Sequence, residues 1–78
     1  MMRRMECTTE TYGEYTLLSN SRPSNASPDL HTATCLIKKD GKVVDRVMAG
    51  DLFGSASEAN EEGRNRAKQR VAAWWRSS

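Results

Sequence analysis

The residues of this chain with the greatest chemical reactivity are its single histidine, His31, and its two cysteines, Cys7 and Cys35. In a β-strand, His31 and Cys35 would lie on the same face, four residues or roughly 13 Å apart. A thiol–imidazole dyad requires direct hydrogen-bond contact, so this spacing does not build one. A zinc site requires three or four ligands, and these three residues are the only nitrogen and sulfur candidates. We therefore predict no catalytic residues and no metal site.

A second candidate for chemistry is the glycine-containing segment Gly50-Asp51-Leu52-Phe53-Gly54, which precedes a predicted helix. The N-terminus of a helix can bind phosphate. The segment lacks both the lysine of a P-loop and the glycine spacing of a dinucleotide fingerprint. We interpret it as a strand-to-helix turn and predict no cofactor. So small a chain also leaves little room for a deep pocket, and the protein is predicted not to be an enzyme.

Basic residues near the C-terminus support a different hypothesis, nucleic-acid binding. Four cations occur within seven residues, namely Arg64, Arg66, Lys68 and Arg70. Glutamates precede them, and acidic-then-basic order is what the helix dipole favours without any partner. At about 100° per residue, the cations also divide between the two flanks of the apolar stripe. Nucleic-acid binding is therefore kept as the alternative hypothesis.

These cations belong to an amphipathic helix predicted over about 55–76. Ser55 and Glu58 form a capping-box pattern at its start. Its apolar stripe consists mostly of small residues, Ala56, Ala59, Gly63, Ala67, Val71 and Trp74. We expect the backbone at Gly63 to approach a strand side chain closely. Trp74 is assigned to the core and Trp75 to its boundary, where it could contact a partner.

The elements that must position these residues include a predicted hairpin around Asp40-Gly41. This dipeptide between two strand-like runs, 30–39 and 42–49, favours a two-residue type I′ turn. A simple register then pairs Ile37 with Val44 and Cys35 with Arg46. It leaves a half-polar face away from the helix that includes Leu36, Val43 and Val47, whereas Arg46 lies at the edge of the core face.

The chain of 78 residues is predicted to form one α+β domain. We expect a small antiparallel sheet of three or four strands, packed on one face by a single C-terminal helix. Residues 12–78 form this domain, with a mobile loop at 20–29 that contains Arg22 and both prolines. Residues 1–11 are either a flexible segment or an edge strand. Translation could start at Met1, Met2 or Met5.

Cysteine usage and the N-terminal sequence predict the cellular compartment. No apolar run follows the first residues, so neither a signal peptide nor a membrane anchor is predicted. Two cysteines do not make a dense disulfide framework. We expect a cytoplasmic protein with reduced thiols, although a Cys7–Cys35 disulfide remains open.

The block from Leu30 onward resembles small single-domain bacterial proteins of unassigned function. In these, two strands joined by a tight glycine-containing turn lead into one closing helix. The matching residues are Lys39-Asp40-Gly41-Lys42-Val43-Val44, Phe53, Ser55, Glu58-Ala59, Gly63, Ala67 and Trp74. The resemblance covers about 45 residues and is generic; the chain departs from the pattern at Leu30-His31, where an aromatic is expected. It implies the fold and lends no activity.

A weaker similarity is to the double-stranded-RNA-binding domain, in which a hairpin also precedes a helix with basic residues and small core-facing alanines. That domain carries its basic cluster at the N-terminus of its final helix. Here the corresponding residues are Glu58, Glu61 and Glu62, which does not fit RNA binding.

The leading functional hypothesis is a non-enzymatic protein–protein interaction module of bacterial or prophage origin. Its partner would be another protein or a second copy of the chain, and not a membrane. The predicted contact residues are Trp75, Arg22, Leu36, Val43 and Val47.

Overall fold

Two tight turns fold the first part of the chain into hairpins. The first has Gly13 at a φ of 64°, and the second has Asp40 at 55° and Gly41 at 80°. Positive φ at both central residues is what a type I′ hairpin turn requires. The predicted Asp40-Gly41 hairpin is therefore confirmed.

The computed structural model describes residues 6–77. Its elements are β1 (Glu6–Tyr12), β2 (Tyr15–Pro23), β3 (His31–Lys39), β4 (Lys42–Met48) and α1 (Ala56–Ser77). The four strands form one antiparallel sheet in the order β1-β2-β3-β4, and α1 covers one of its faces. The predicted α+β fold is confirmed. The question of the start site, at Met1, Met2 or Met5, lies outside the described residues.

Strand β2 is longer than the sequence predicts. It pairs with β3 as far as Pro23, which lies opposite His31, so residues 20–23 belong to the sheet and the predicted loop boundary at residue 20 is wrong. The actual connection is a compact turn in which the amide of Ser24 donates to the carbonyl of Leu30 at 2.8 Å. Pairing with a complete neighbouring strand outweighs the polar composition of this segment.

The register between β3 and β4 also differs from the prediction. Ile37 lies opposite Asp45, and a β-bulge interrupts the ladder between Ile37 and Lys38. Because side chains alternate across a strand, one extra residue reverses the face of every residue beyond it. Val47 consequently enters the core with 6% exposure, and Met48 points outward with 56%.

The core lies between the sheet and the small-residue stripe of α1. Gly63 is buried at its centre, and a β-carbon added there would lie 3.1 Å from Ser19 Oγ and 3.6 Å from Ala33 Cβ. The predicted close approach at Gly63 is thus confirmed. Most of the surrounding core side chains are small or aliphatic: Leu17, Ala33, Cys35, Ile37, Val47, Ala49, Ala59, Ala67 and Val71.

A buried polar cluster lies within this interface. The hydroxyl of Ser19 donates to Asn60 Oδ1 at 2.7 Å, and Asn60 Nδ2 donates to Ser21 Oγ at 3.3 Å. All three side chains are at most 1% exposed. Buried polar groups are costly without partners, so this cluster favours one position of the helix along the sheet.

Enlarging Gly63 should therefore destabilise the protein. We expect Gly63→Val to lower the free energy of unfolding by about 1–3 kcal/mol, because its methyl groups must displace Ser19 from its bond to Asn60. The matched control is Asn65→Val. Asn65 is exposed on the same helix, and asparagine and valine have similar helix propensity. Urea unfolding of both variants provides the measurement. Equal stabilities would contradict the close packing at Gly63.

Candidate functional site

The second face of the sheet has no helix over it within residues 6–77. We call this surface the open face. Strand alternation and the register place these residues on it: Cys7, Thr9, Thr11, Thr16, Leu18, Asn20, Arg22, Thr32, Thr34, Leu36, Lys38, Val43, Arg46 and Met48. Aliphatic side chains alternate here with hydroxyl groups and cations.

The open face is basic. Its cations are Arg22, Lys38 and Arg46, and none of them forms a salt bridge within the described part of the chain. None of the open-face residues named above is Asp or Glu. The carboxylates of Glu10 on β1 and Asp45 on β4 lie on the opposite face of the sheet, where they bond to helix cations.

A groove crosses the open face. It has a volume of about 490 Å³ and is lined by Asn20, Ser21, Arg22, Thr34, Leu36, Arg46 and Met48. The register aligns Asn20, Thr34 and Met48 in one row across three strands. Arg22 and Arg46 stand on opposite sides of this row, at diagonal ends of the groove.

On the outer edge of β4, one backbone amide is already hydrogen-bonded within the chain. A partner therefore has better access to the open face than to this edge. The amide of Arg46 donates to Asp45 Oδ1 at 2.7 Å, so it is not available to pair with an added strand. The same carboxylate accepts from Arg70 Nη1 at 2.6 Å. These two hydrogen bonds, the one from the Arg46 amide first, hold the pKa of Asp45 below its usual range. The bulge and this satisfied amide both oppose strand addition.

On the β1 flank of α1, the helix cations contact the sheet. Arg64 Nε lies 3.1 Å from Glu10 Oε1, and Arg64 also donates to Thr8. Lys68 pairs with the second oxygen of Glu10. Chiefly through its hydrogen bond to Lys68, with help from Arg64, Glu10 has a pKa below its ordinary value.

On the β4 flank, Arg66 Nε lies 2.6 Å from Glu62 and Arg70 pairs with Asp45. Glu62 and Arg66 thus form an ion pair one helical turn apart. A second cleft of about 400 Å³ opens between β4 and α1, lined by Arg46, Val47, Met48, Arg66, Gln69 and Arg70. The structure thus divides the four candidate nucleic-acid residues between two flanks and pairs each of them with a carboxylate.

Trp75 packs within the molecule. Its ring stacks on Tyr12 with centroids 5.3 Å apart, and it covers Gly13 so closely that an added β-carbon there would lie 2.6 Å from the indole. Trp74 packs edge-on against Tyr15 at 5.7 Å. Although Trp75 keeps 45% exposure, these contacts explain its presence. The contacts of Trp74 and Trp75 pack the C-terminal end of α1 against the β1–β2 turn.

The predicted partner residues are consequently not all together. Arg22, Leu36 and Val43 lie on the open face, whereas Trp75 lies over the first turn on the helix side. The assignment of Val47 to a partner surface is wrong, because the bulge turns this residue into the core. Sequence reasoning instead missed Arg46 and Met48 of the groove. Arg46 itself was the available signal, since the simple register placed a cation against the covered face.

The reactive residues do not form a catalytic group. Burial raises the pKa of the Cys35 thiol to about 11, which keeps it protonated. His31 exchanges backbone hydrogen bonds with Phe53 at the end of the sheet. Within residues 6–77, no group of three or more His, Cys, Asp or Glu residues could hold a metal ion.

Cys7 and Cys35 are both free thiols. Cys7 lies in β1 on the open face, and Cys35 lies in β3 on the helix side of the sheet. Because β2 separates the two strands, their Cα atoms are about 10 Å apart. This separation exceeds what a disulfide can bridge.

In the part of the chain that the structure describes, no helix has the length and apolar character to cross a membrane. Comparison with known proteins found no matching family model, no matching curated protein and no matching solved structure.

The contact between Trp75 and Gly13 can be tested with a matched pair of glycines. Gly13 and Gly41 both have positive φ in a two-residue turn, but nothing lies within 4 Å of a β-carbon added at Gly41. We expect Gly13→Ala to lower the free energy of unfolding by about 1–3 kcal/mol more than Gly41→Ala, because it also displaces the indole. In a Trp75→Ala background this excess should shrink, because the indole no longer occupies the space of the added β-carbon. An excess that is unchanged without the indole would contradict the contact.

The ion pairs predict how stability depends on pH. The pKa values of Glu10 and Asp45 are lowered in the folded protein from 4.5 and 3.8. Their stabilisation is therefore complete above those values and is lost as pH falls through the lower folded pKa. We expect Glu10→Gln to lose less stability than the wild type between pH 7 and acidic pH, measured by urea unfolding. Glu61→Gln, at an exposed helix position, is the control, and equal acid sensitivity of wild type and Glu10→Gln would contradict the role of Glu10.

Proposed function

We propose that this protein is a non-enzymatic binding module that docks another protein on the open face of its sheet. The observation that carries the proposal is the chemistry of that face. Leu18, Leu36 and Met48 offer apolar contact area, and the surrounding cations have no carboxylate partner within the described residues. Interfaces combine an apolar centre with polar groups around it in the same way.

Charge favours a different, acidic protein over a second copy of this chain. In a two-fold dimer the same surface patch faces itself. Pairing two open faces would bring Arg22, Lys38 and Arg46 of one copy near the same cations of the other. Like charges across an interface are unfavourable, so a partner rich in Asp and Glu is the complementary one.

Nucleic-acid binding has less support. Its proposed contacts, Arg64, Arg66, Lys68 and Arg70, each pair with a carboxylate of the same chain. The open face could attract phosphate through its cations, but the residues assigned to it include no aromatic side chain on which bases could stack.

A role without catalysis is proposed for the same reasons of geometry. The buried Cys35 thiol lies four strand residues away from His31. The open-face residues named above supply cations and hydroxyl groups but no nucleophile–base pair. A cytoplasmic location and a bacterial or prophage origin remain part of this proposal, and the two free thiols support the location.

Site-specific photo-crosslinking in the organism that encodes the protein would test this function. A photoreactive amino acid is placed at Thr32 on the open face or, as the control, at Asn65 on the outer side of α1. We expect a discrete protein adduct from Thr32 and none from Asn65. The Thr32 adduct should be lost with Arg46→Glu and retained with Arg76→Glu, which makes the same charge change at the exposed end of the helix.

Three results would overturn the proposal. Equal adducts from both positions would show that the open face is not the docking surface. An adduct with nucleic acid from Thr32 would favour the alternative function. A dimer of the purified protein in sedimentation analysis, combined with an adduct of twice the chain mass, would identify a second copy as the partner.

A further inference from the structure

We infer that the groove on the open face takes an extended acidic segment of the partner, with two carboxylates four residues apart and an apolar residue midway between them. This inference rests on the proposed function and specifies the ligand of the same surface. The groove in question is the one bounded by Arg22 and Arg46.

The spacing follows from the register of the sheet. Arg22 pairs with Thr32 and Arg46 pairs with Leu36, so the two arginines are offset by four positions along β3. They also lie on strands that are two strand spacings apart. With about 3.4 Å per residue and about 4.8 Å per strand spacing, their Cα atoms are roughly 17 Å apart.

An extended peptide comes within about 4 Å of this distance. Residues i and i+4 of a strand are roughly 13 Å apart and point to the same side. The flexible arginine side chains cover the remaining difference. Residue i+2 points to the same side as the two acids, so it meets the middle of the groove.

The register places Thr34 at the middle of the groove, where its methyl group and the neighbouring Leu36 and Met48 can contact an apolar side chain. Met48 is flexible enough to adapt to the shape of what it contacts. Asn20 lies in the same row as Thr34 and Met48, and Asn20 and Thr34 can exchange hydrogen bonds with the peptide.

Carboxylates are the groups that the ends of the groove favour. A guanidinium group binds a carboxylate with two parallel hydrogen bonds, which gives direction as well as attraction. Elsewhere in this molecule the helix arginines already bind carboxylates, Arg70 with Asp45 and Arg64 with Glu10, each through one hydrogen bond. Arg22 and Arg46 are left without such a partner within residues 6–77. An acidic protein segment supplies it.

The acidic segment is not expected to pair as an added strand with the edge of β4. The amide of Arg46 is held by the Asp45 carboxylate, and that carboxylate would repel an incoming acidic strand. The segment is therefore expected to lie across the open face, with its side chains directed into the groove.

Two synthetic peptides of identical composition test the inference. The first is Ser-Ser-Glu-Ser-Leu-Ser-Glu-Ser-Ser, which carries the proposed spacing. The second is Ser-Ser-Glu-Glu-Leu-Ser-Ser-Ser-Ser, in which the two glutamates are adjacent. Titration of isotope-labelled protein at low ionic strength, followed by amide chemical shifts, locates each peptide and measures its affinity.

We expect the spaced peptide to shift the amides of Thr34, Leu36 and Met48, and to bind about tenfold more tightly than the adjacent-glutamate peptide. Arg22→Gln and Arg46→Gln should each weaken the spaced peptide about tenfold. Arg76→Gln removes an equal charge from an exposed helix position and should leave the affinity unchanged. All three arginines are exposed, so these variants should fold, which the dispersion of the same spectra checks.

Equal affinity for the two peptides would overturn the spacing. Shifts confined to α1, or no loss of affinity in the two groove variants, would overturn the site. A single-stranded oligonucleotide of similar length that displaces the spaced peptide from the groove at lower concentration would identify nucleic acid as the occupant. If neither peptide binds while the protein adduct at Thr32 persists, this inference fails and the proposed function stands. If that adduct is also absent, both fail.

Discussion

The close approach of α1 to the sheet at Gly63 is the constraint on which the other features depend. The absence of a side chain lets the helix backbone come near Ser19 and Ala33, and the neighbouring alanines of the stripe leave it room to do so. At this distance Asn60 reaches Ser19 and Ser21. A helix held further away would break the hydrogen bonds of Asn60 to Ser19 and Ser21, so close packing and hydrogen bonding favour the same arrangement.

The same closeness determines where the charges lie. Because the buried stripe is narrow, cations on both flanks of α1 reach the sheet, where Glu10 and Asp45 bind them. The helix cations therefore tie the helix to both sides of the sheet. Since these strand carboxylates are directed toward the helix, the cations of the opposite face remain without them. The basic character of the open face is thus a consequence of how the covered face is held.

Regular local signals made much of this fold predictable. The capping box at Ser55, the period of small residues in α1 and the Asp40-Gly41 turn each express a local rule, and the Ser55 hydroxyl does accept the amide of Glu58 at 3.1 Å. The bulge in β4 has no such signal, because an inserted residue alters the register without altering composition. It decides the site nonetheless, since it exchanges Val47 for Arg46 between the two faces. The extension of β2 through Arg22 was missed for a related reason: long-range pairing supplies the stability that local composition does not indicate.

The cations of the open face serve two purposes that would otherwise conflict. A sheet face with Leu18, Leu36 and Met48 uncovered invites association with further copies of the same chain. Three cations that form no salt bridge within residues 6–77 oppose such association, because every copy presents the same charge. The same cations attract a surface of opposite charge, whose carboxylates would remove the repulsion and allow the aliphatic residues to be buried. Under the proposed function, selectivity for an acidic partner and resistance to self-association would both follow from one arrangement of Arg22, Lys38 and Arg46.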